Sequence, residues 1–117
     1  DWTEKSGITG DQQCAMDVDF VINSATPNPG NTAILFEIEN KGAIHINNFR
    51  IILKGSTGLT ATNETNLGVL MATTSQLSMN YDSINLGNVE TIDIIPIISV
   101  QGQVFTCNQK QQTSNII

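Results

Sequence analysis

Two cysteines, one histidine, eleven acidic residues and one Asn-x-Thr triplet are the groups in this chain that could do chemistry. Cys14 and Cys107 fall just before the first strand pattern and at the end of the last. In a Greek-key sandwich those two ends can be neighbours, and an exported domain with two cysteines usually joins them. A disulfide closing so long a loop stabilises the fold by roughly 4–5 kcal/mol on the chain-entropy model. The competing reading is a pair of buried free thiols in a cytosolic protein. Two thiolates and one distant imidazole do not make a structural zinc set.

His45 would have to serve any Ser–His–Asp or Cys–His enzyme. It follows the Asn40–Gly42 turn inside a strand pattern, no Gly-x-Ser-x-Gly turn occurs, and neither cysteine has a nucleophile-like context. A histidine on a strand surface is the reading these facts favour. Asp11, Asp17 and Asp19 raise the question of calcium, which needs several oxygens converging from a loop. Alternation instead puts Asp17 and Asp19 on the outward face of one strand, where they read as solvated carboxylates. A glycosidase pair of carboxylates would need a sugar cleft, and one tryptophan supplies little of one. Asn63-Glu64-Thr65 is the single glycosylation sequon, in a polar stretch where a glycan would fit or where an ordinary loop asparagine would sit. The expectation is no enzyme, no cofactor and no metal, with Cys14–Cys107 as a staple and Asn63 as the candidate modification site.

Length and charge agree with that expectation. The 117 residues suit one domain. With only six aromatic residues, a core built from 39% hydrophobic residues must rely on Ile, Val and Leu, which suit pleated surfaces. Five cations against eleven acids, net −6, offer no cluster to displace counterions from nucleic acid or to dock on anionic lipid. No apolar run reaches 18 residues, and no charged-then-apolar leader is present. A start at Asp1 reads as a mature or trimmed product, any export or anchoring segment lying upstream.

The elements that must position these residues follow from periodicity. Residues 1–13 carry no sustained period and read as an arm, with Trp2 and Ile8 its only large apolar groups. Alternation then predicts strands over 16–22, 33–39 and 45–53, weaker ones over 67–71 and 76–81, a strong one over 91–100 and a closing one over 104–107. Breakers at 25–31, the Asn40-Lys41-Gly42 signal, and the polar stretch 54–66 read as loops. Asn40 and Gly42 suit the positive φ that such turns use. Pro96, unable to donate to a ladder, belongs at an edge or bulge. Residues 111–117 read as a polar tail. About seven short strands with no helix-period segment predict an all-β, immunoglobulin-like antiparallel sandwich over 14–110, ahead of a partly open barrel.

The order of these pieces between the two cysteines resembles the ectodomain of archaeal type IV pilin-like cell-surface proteins. The resembling residues are Cys14 with Asp17-Val18-Asp19-Phe20, Phe36-Glu37-Ile38-Glu39-Asn40-Lys41-Gly42, Asn48-Phe49-Arg50-Ile51, the run Val89–Ile98, and Val104-Phe105-Thr106-Cys107. They span roughly residues 14–110, and each motif alone is soft. Such proteins carry a class III signal peptide and a hydrophobic N-terminal helix before a small sandwich. The resemblance implies a structural subunit of an extracellular filament, acting in surface attachment by self-assembly. A monomeric adhesion module contacting an envelope layer or carbohydrate is the alternative. Members of this family assemble through the N-terminal helix, which this sequence does not contain. A second route is a donor-strand thread, in which a neighbour's terminal arm, 1–13 or 111–117, fills an open sheet edge.

Overall fold

Alternating apolar residues build two antiparallel sheets that face each other across one core. The computed structural model describes residues 10–65 and 68–116, so Trp2, Ile8, Leu67 and Ile117 lie outside the described residues. In chain order the elements are α1 (Gly10–Asp17), β1 (Phe20–Pro27), β2 (Ala33–Asn40), β3 (Asn48–Gly55), β4 (Thr60–Glu64) and β5 (Thr74–Asn80). There follow α2 (Ser83–Leu86), β6 (Val89–Val100), β7 (Gln103–Thr106), a 3-10 turn at Asn108–Lys110 and β8 (Gln112–Asn115). One sheet is three-stranded, ordered β1-β2-β5; the other is five-stranded, ordered β4-β3-β6-β7 with β8 also pairing β6. The all-β sandwich expected from the alternation is what folds, with eight strands rather than about seven.

Register explains the core. Ile34, Phe36 and Ile38 of β2 and Phe49, Ile51 and Leu53 of β3 are buried, as their alternation requires. Phe20 of β1 meets Phe49 across the sheets with ring centroids 5.7 Å apart, tilted by 59°. The bulge in β1 between Ile22 and Ser24 shifts the inward positions from even to odd, so that Ala25 joins Phe20 in the core. β6 is apolar along 94–98, and Ile95 and Ile97 are buried although register places them opposite Ile94 and Ile98. That is why this strand reads as an unbroken run instead of an alternation.

Several expectations need correction. The strand expected over 16–22 begins only at Phe20, because Gly10–Asp17 forms a short helix. Gln, Ala and Met are good helix formers, and eight residues were too few to show a period. The loop expected over 54–66 contains β4, which pairs β3 from Arg50↔Glu64 to Lys54↔Thr60. The tail expected over 111–117 contains β8, paired with β6 from Thr91↔Asn115 to Ile94↔Gln112. The strand expected over 67–71 is reduced, among the described residues, to one bridge, Ile46↔Val69.

Pro96 lies neither on an edge nor at a bulge but inside β6, opposite Phe49 of β3. Its carbonyl accepts from Cys107 N–H at 2.8 Å, so its nitrogen faces the same side, where β6 changes partner from β8 to β7. The missing donor thus falls where no ladder bond is required. The Asn40-Lys41-Gly42 turn also works differently from expectation, since neither Asn40 nor Gly42 has a positive φ. Asn40, buried to 1%, donates from Nδ2 to the carbonyls of Ile44 (2.9 Å) and Val69 (3.0 Å) and accepts from Gly42 N–H (2.9 Å). Gly42 is required by close approach: a Cβ there would stand 2.3 Å from Asp17 O and 2.7 Å from Asp19 N.

Replacing Asn40 by Ala should therefore cost about 2–4 kcal/mol, because two carbonyls and one amide lose their partner together. Gly42→Ala should cost about 1–3 kcal/mol through displaced backbone. Urea unfolding of both variants measures these losses; midpoints equal to the parent protein's would refute the account of this turn.

Candidate functional site

The residues singled out for chemistry are mostly committed to structure. Cys14 in α1 and Cys107 after β7 form a disulfide, with Cα atoms 5.4 Å apart and both residues at most 1% exposed. The bond ties α1 to the end of the five-stranded sheet and leaves no free thiol among the described residues. A thiolate nucleophile or ligand is therefore ruled out by covalency. Oxidised cysteines suit an oxidising compartment.

His45 is exposed and precedes β3 instead of lying within it. Its Nδ1 accepts from Met71 N–H at 2.8 Å, tying the 69–73 turn to the β2–β3 connection. Asp17 ends α1 and accepts from Gln13, while Asp19 lies in the link to β1, so the two do not share a strand face as expected. Asp11 belongs to α1, and its side chain is outside the described set. Among the described residues, no three His, Cys, Asp or Glu side chains converge in a way that could hold a metal ion.

Asn63 lies on β4, an exposed edge strand, and not in a loop. Its neighbour in register is Ile51, which points into the core, so Asn63 points to the same face. Thr65 accepts from Phe49 N–H at 3.1 Å through its hydroxyl. The inward side of β4 and of the residue that follows it is thus small or polar: Ala61, Asn63 and then Thr65. The reason is the width of the sheet opposite. The five-stranded sheet is four strands across, because β7 and β8 share one flank of β6, and the other sheet has three. β1 meets β8 on one side, where the Gln112 amide donates to Phe20 O. On the other side no strand among the described residues covers β4. A groove of about 720 Å³ opens there, lined mostly by polar residues of β1, β2, β4 and β5, among them Ser24, Glu37, Asn63 and Gln76, with the buried side chains of Phe36, Ile51, Leu77 and Met79 beneath it.

The groove runs beside β5, the one edge strand that nothing among the described residues protects. β1 has its bulge and ends in Pro27; β7 and β8 are four residues each. On β4, Thr65 N–H bonds Phe49 O, so the Glu64 amide points to the free side, where Asn63 Oδ1 accepts it at 2.9 Å. Short length, Pro, bulges and local capping all discourage pairing with another chain. β5 (TSQLSMN) has no charge, proline or bulge over seven regular pairs with β2. Tyr81 N–H donates to Thr32 O and Thr73 O accepts from Asn40 N–H, both toward β2. Alternation then turns the backbone groups of Gln76 and Ser78 outward. Sequence reasoning missed this surface; its one signal was the uncharged run 74–80.

No protein-family model matches the chain, and no curated protein or solved structure matches it. No helix among the described residues is long and apolar enough to cross a membrane.

The Cys14–Cys107 bond closes a separation of 93 residues. Its removal in a Cys14→Ala/Cys107→Ala double variant should lower the melting temperature by on the order of 15 °C, following a loss of about 4–5 kcal/mol. Calorimetry of the variant beside the oxidised protein reads the difference, and superimposable melting curves would refute the staple.

Proposed function

We propose that this domain is a structural subunit of an extracellular, pilus-like filament, acting in surface attachment by assembly with other copies. The carrying observation is β5: a seven-residue, uncharged edge strand beside an open groove. An edge of that kind is a template for a further strand, whose main-chain bonds provide affinity and whose alternate side chains provide fit. The disulfide supports an oxidising, extracellular setting. The type IV pilin-like pattern read from the sequence supports the same class of function. The polar groups one would ask of an enzyme have structural partners: His45 is held by Met71, and both cysteines are bonded.

The test is Ser78→Pro. The Ser78 N–H points away from β2, so proline there removes a donor from the free edge and leaves the intrachain ladder intact. The parent protein should associate with rising concentration in sedimentation and form elongated particles in electron micrographs; Ser78→Pro should stay monomeric with a similar melting temperature. Hydrogen exchange on the unaltered protein gives a second readout, with the Gln76 and Ser78 amides slowing on association. Assembly that leaves those amides fast and survives Ser78→Pro would overturn the proposal.

A further inference from the structure

The groove straddles the β5 edge. Residues of that strand line it from both faces, Gln76 and Ser78 on the outer side, Leu77 and Met79 on the inner. It continues over Ser24 and Glu37 of the three-stranded sheet and reaches Asn63 on β4. A molecule filling it therefore crosses the free backbone of β5. Leu77 and Met79 are already buried, so an occupant meets mainly hydroxyl, carboxamide and carboxylate groups. That chemistry suits a polyhydroxylated ligand. Phe36, the one aromatic residue lining the groove among those described, is 2% exposed and offers no platform to a sugar ring. A free saccharide would gain little here. A saccharide tethered at the groove needs little affinity, because a short link holds it at an effective concentration of millimolar order.

Asn63 provides the tether. Asn63-Glu64-Thr65 is the chain's single sequon, and both Asn63 and Thr65 line the groove. Asn63 is exposed, and its Oδ1 accepts the Glu64 amide. Its Nδ2, the atom to which a glycan is joined, donates to no partner among the described residues. Resting on the assembly reading above, we infer that Asn63 carries an N-linked glycan whose first sugars lie in the groove across the β5 edge, and that the glycosylated chain is closed to further strands. The donor is a polyprenyl-phosphate-linked saccharide. Asn63 Nδ2 bonds to its anomeric carbon while the bond from that carbon to the phosphate oxygen breaks. The electron pair leaves with the polyprenyl phosphate, and a base of the transferring enzyme takes one amide proton. A glycan so placed gives β5 the protection that bulge, proline, shortness and capping give the other edges. Occupancy of Asn63 then sets the share of subunits able to assemble. The Ser78→Pro comparison above concerns the chain without sugar, from a host that lacks the transferring enzyme.

Mass mapping of the protein from native material should find saccharide on the peptide that holds Asn63, retained in Thr65→Ser and lost in Asn63→Gln. An unmodified Asn63 there would overturn the inference and leave the edge reading standing. Hydrogen exchange on the monomer at low concentration reads the groove without assembly. The Gln76 and Ser78 amides should exchange about tenfold more slowly in the glycosylated chain than in Asn63→Gln. Equal rates would put the sugar outside the groove and overturn the placement. Sedimentation reads the consequence: the glycosylated chain should stay monomeric at concentrations where Asn63→Gln associates, and Asn63→Gln/Ser78→Pro should return to monomer. Equal association of the glycosylated chain and Asn63→Gln would overturn the regulation. Slowed amides with no association of either form would remove the assembly reading and keep the glycan in its groove.

Discussion

The contact between the inner faces of the two sheets is the constraint on which the rest depends. Phe20 and Phe49 bridge the layers, and around them Ile34, Phe36, Ile38, Ile51, Leu53, Ile92 and Ile94 are closed to solvent. Each such side chain contributes about 1.5–3 kcal/mol when fully buried, and only while the opposite sheet covers it. Three strands can cover three. The fourth strand across, β4, is accordingly built from residues that tolerate water on their inward side, and the groove is the consequence of that unequal width.

Edge management separates architecture from function. A sandwich needs its edges blunted to remain monomeric, and four of the edge strands are shortened, bulged or capped by their own side chains. The exception is the longest uninterrupted edge, it has no charge, and it borders the groove. Exposure of an unprotected edge carries an aggregation risk, so its coincidence with a groove is more informative than either feature alone. The groove provides side-chain fit where the edge provides only backbone bonds.

The groups that draw attention in the sequence have mostly structural work. The disulfide fixes a helix of eight residues, too short to persist alone, against the end of the five-stranded sheet. Asn40 satisfies two carbonyls that the β2–β3 connection would otherwise bury without partners. His45 performs a similar task on the surface by accepting the Met71 amide. These arrangements show why residue type alone is a poor guide to chemistry: an imidazole or carboxamide is equally useful for closing a turn.

By itself the sequence determined the fold class, the inward faces of β2 and β3, and the candidate pair Cys14 and Cys107. Each of these follows from local alternation or from counting, which act over a few residues. It did not disclose α1, β4 or β8. Eight residues are too few for a helical period, and Thr60–Glu64 and Gln112–Asn115 are polar because each has little or no core to face. Their strand character comes from pairing with β3 and β6, a partnership made across the chain. Pro96 shows the same limit, since whether a missing donor matters depends on which strand lies beside it. The groove and its open edge were decided by tertiary structure alone, because the number of strands in each sheet is settled by long-range pairing, which no local pattern records.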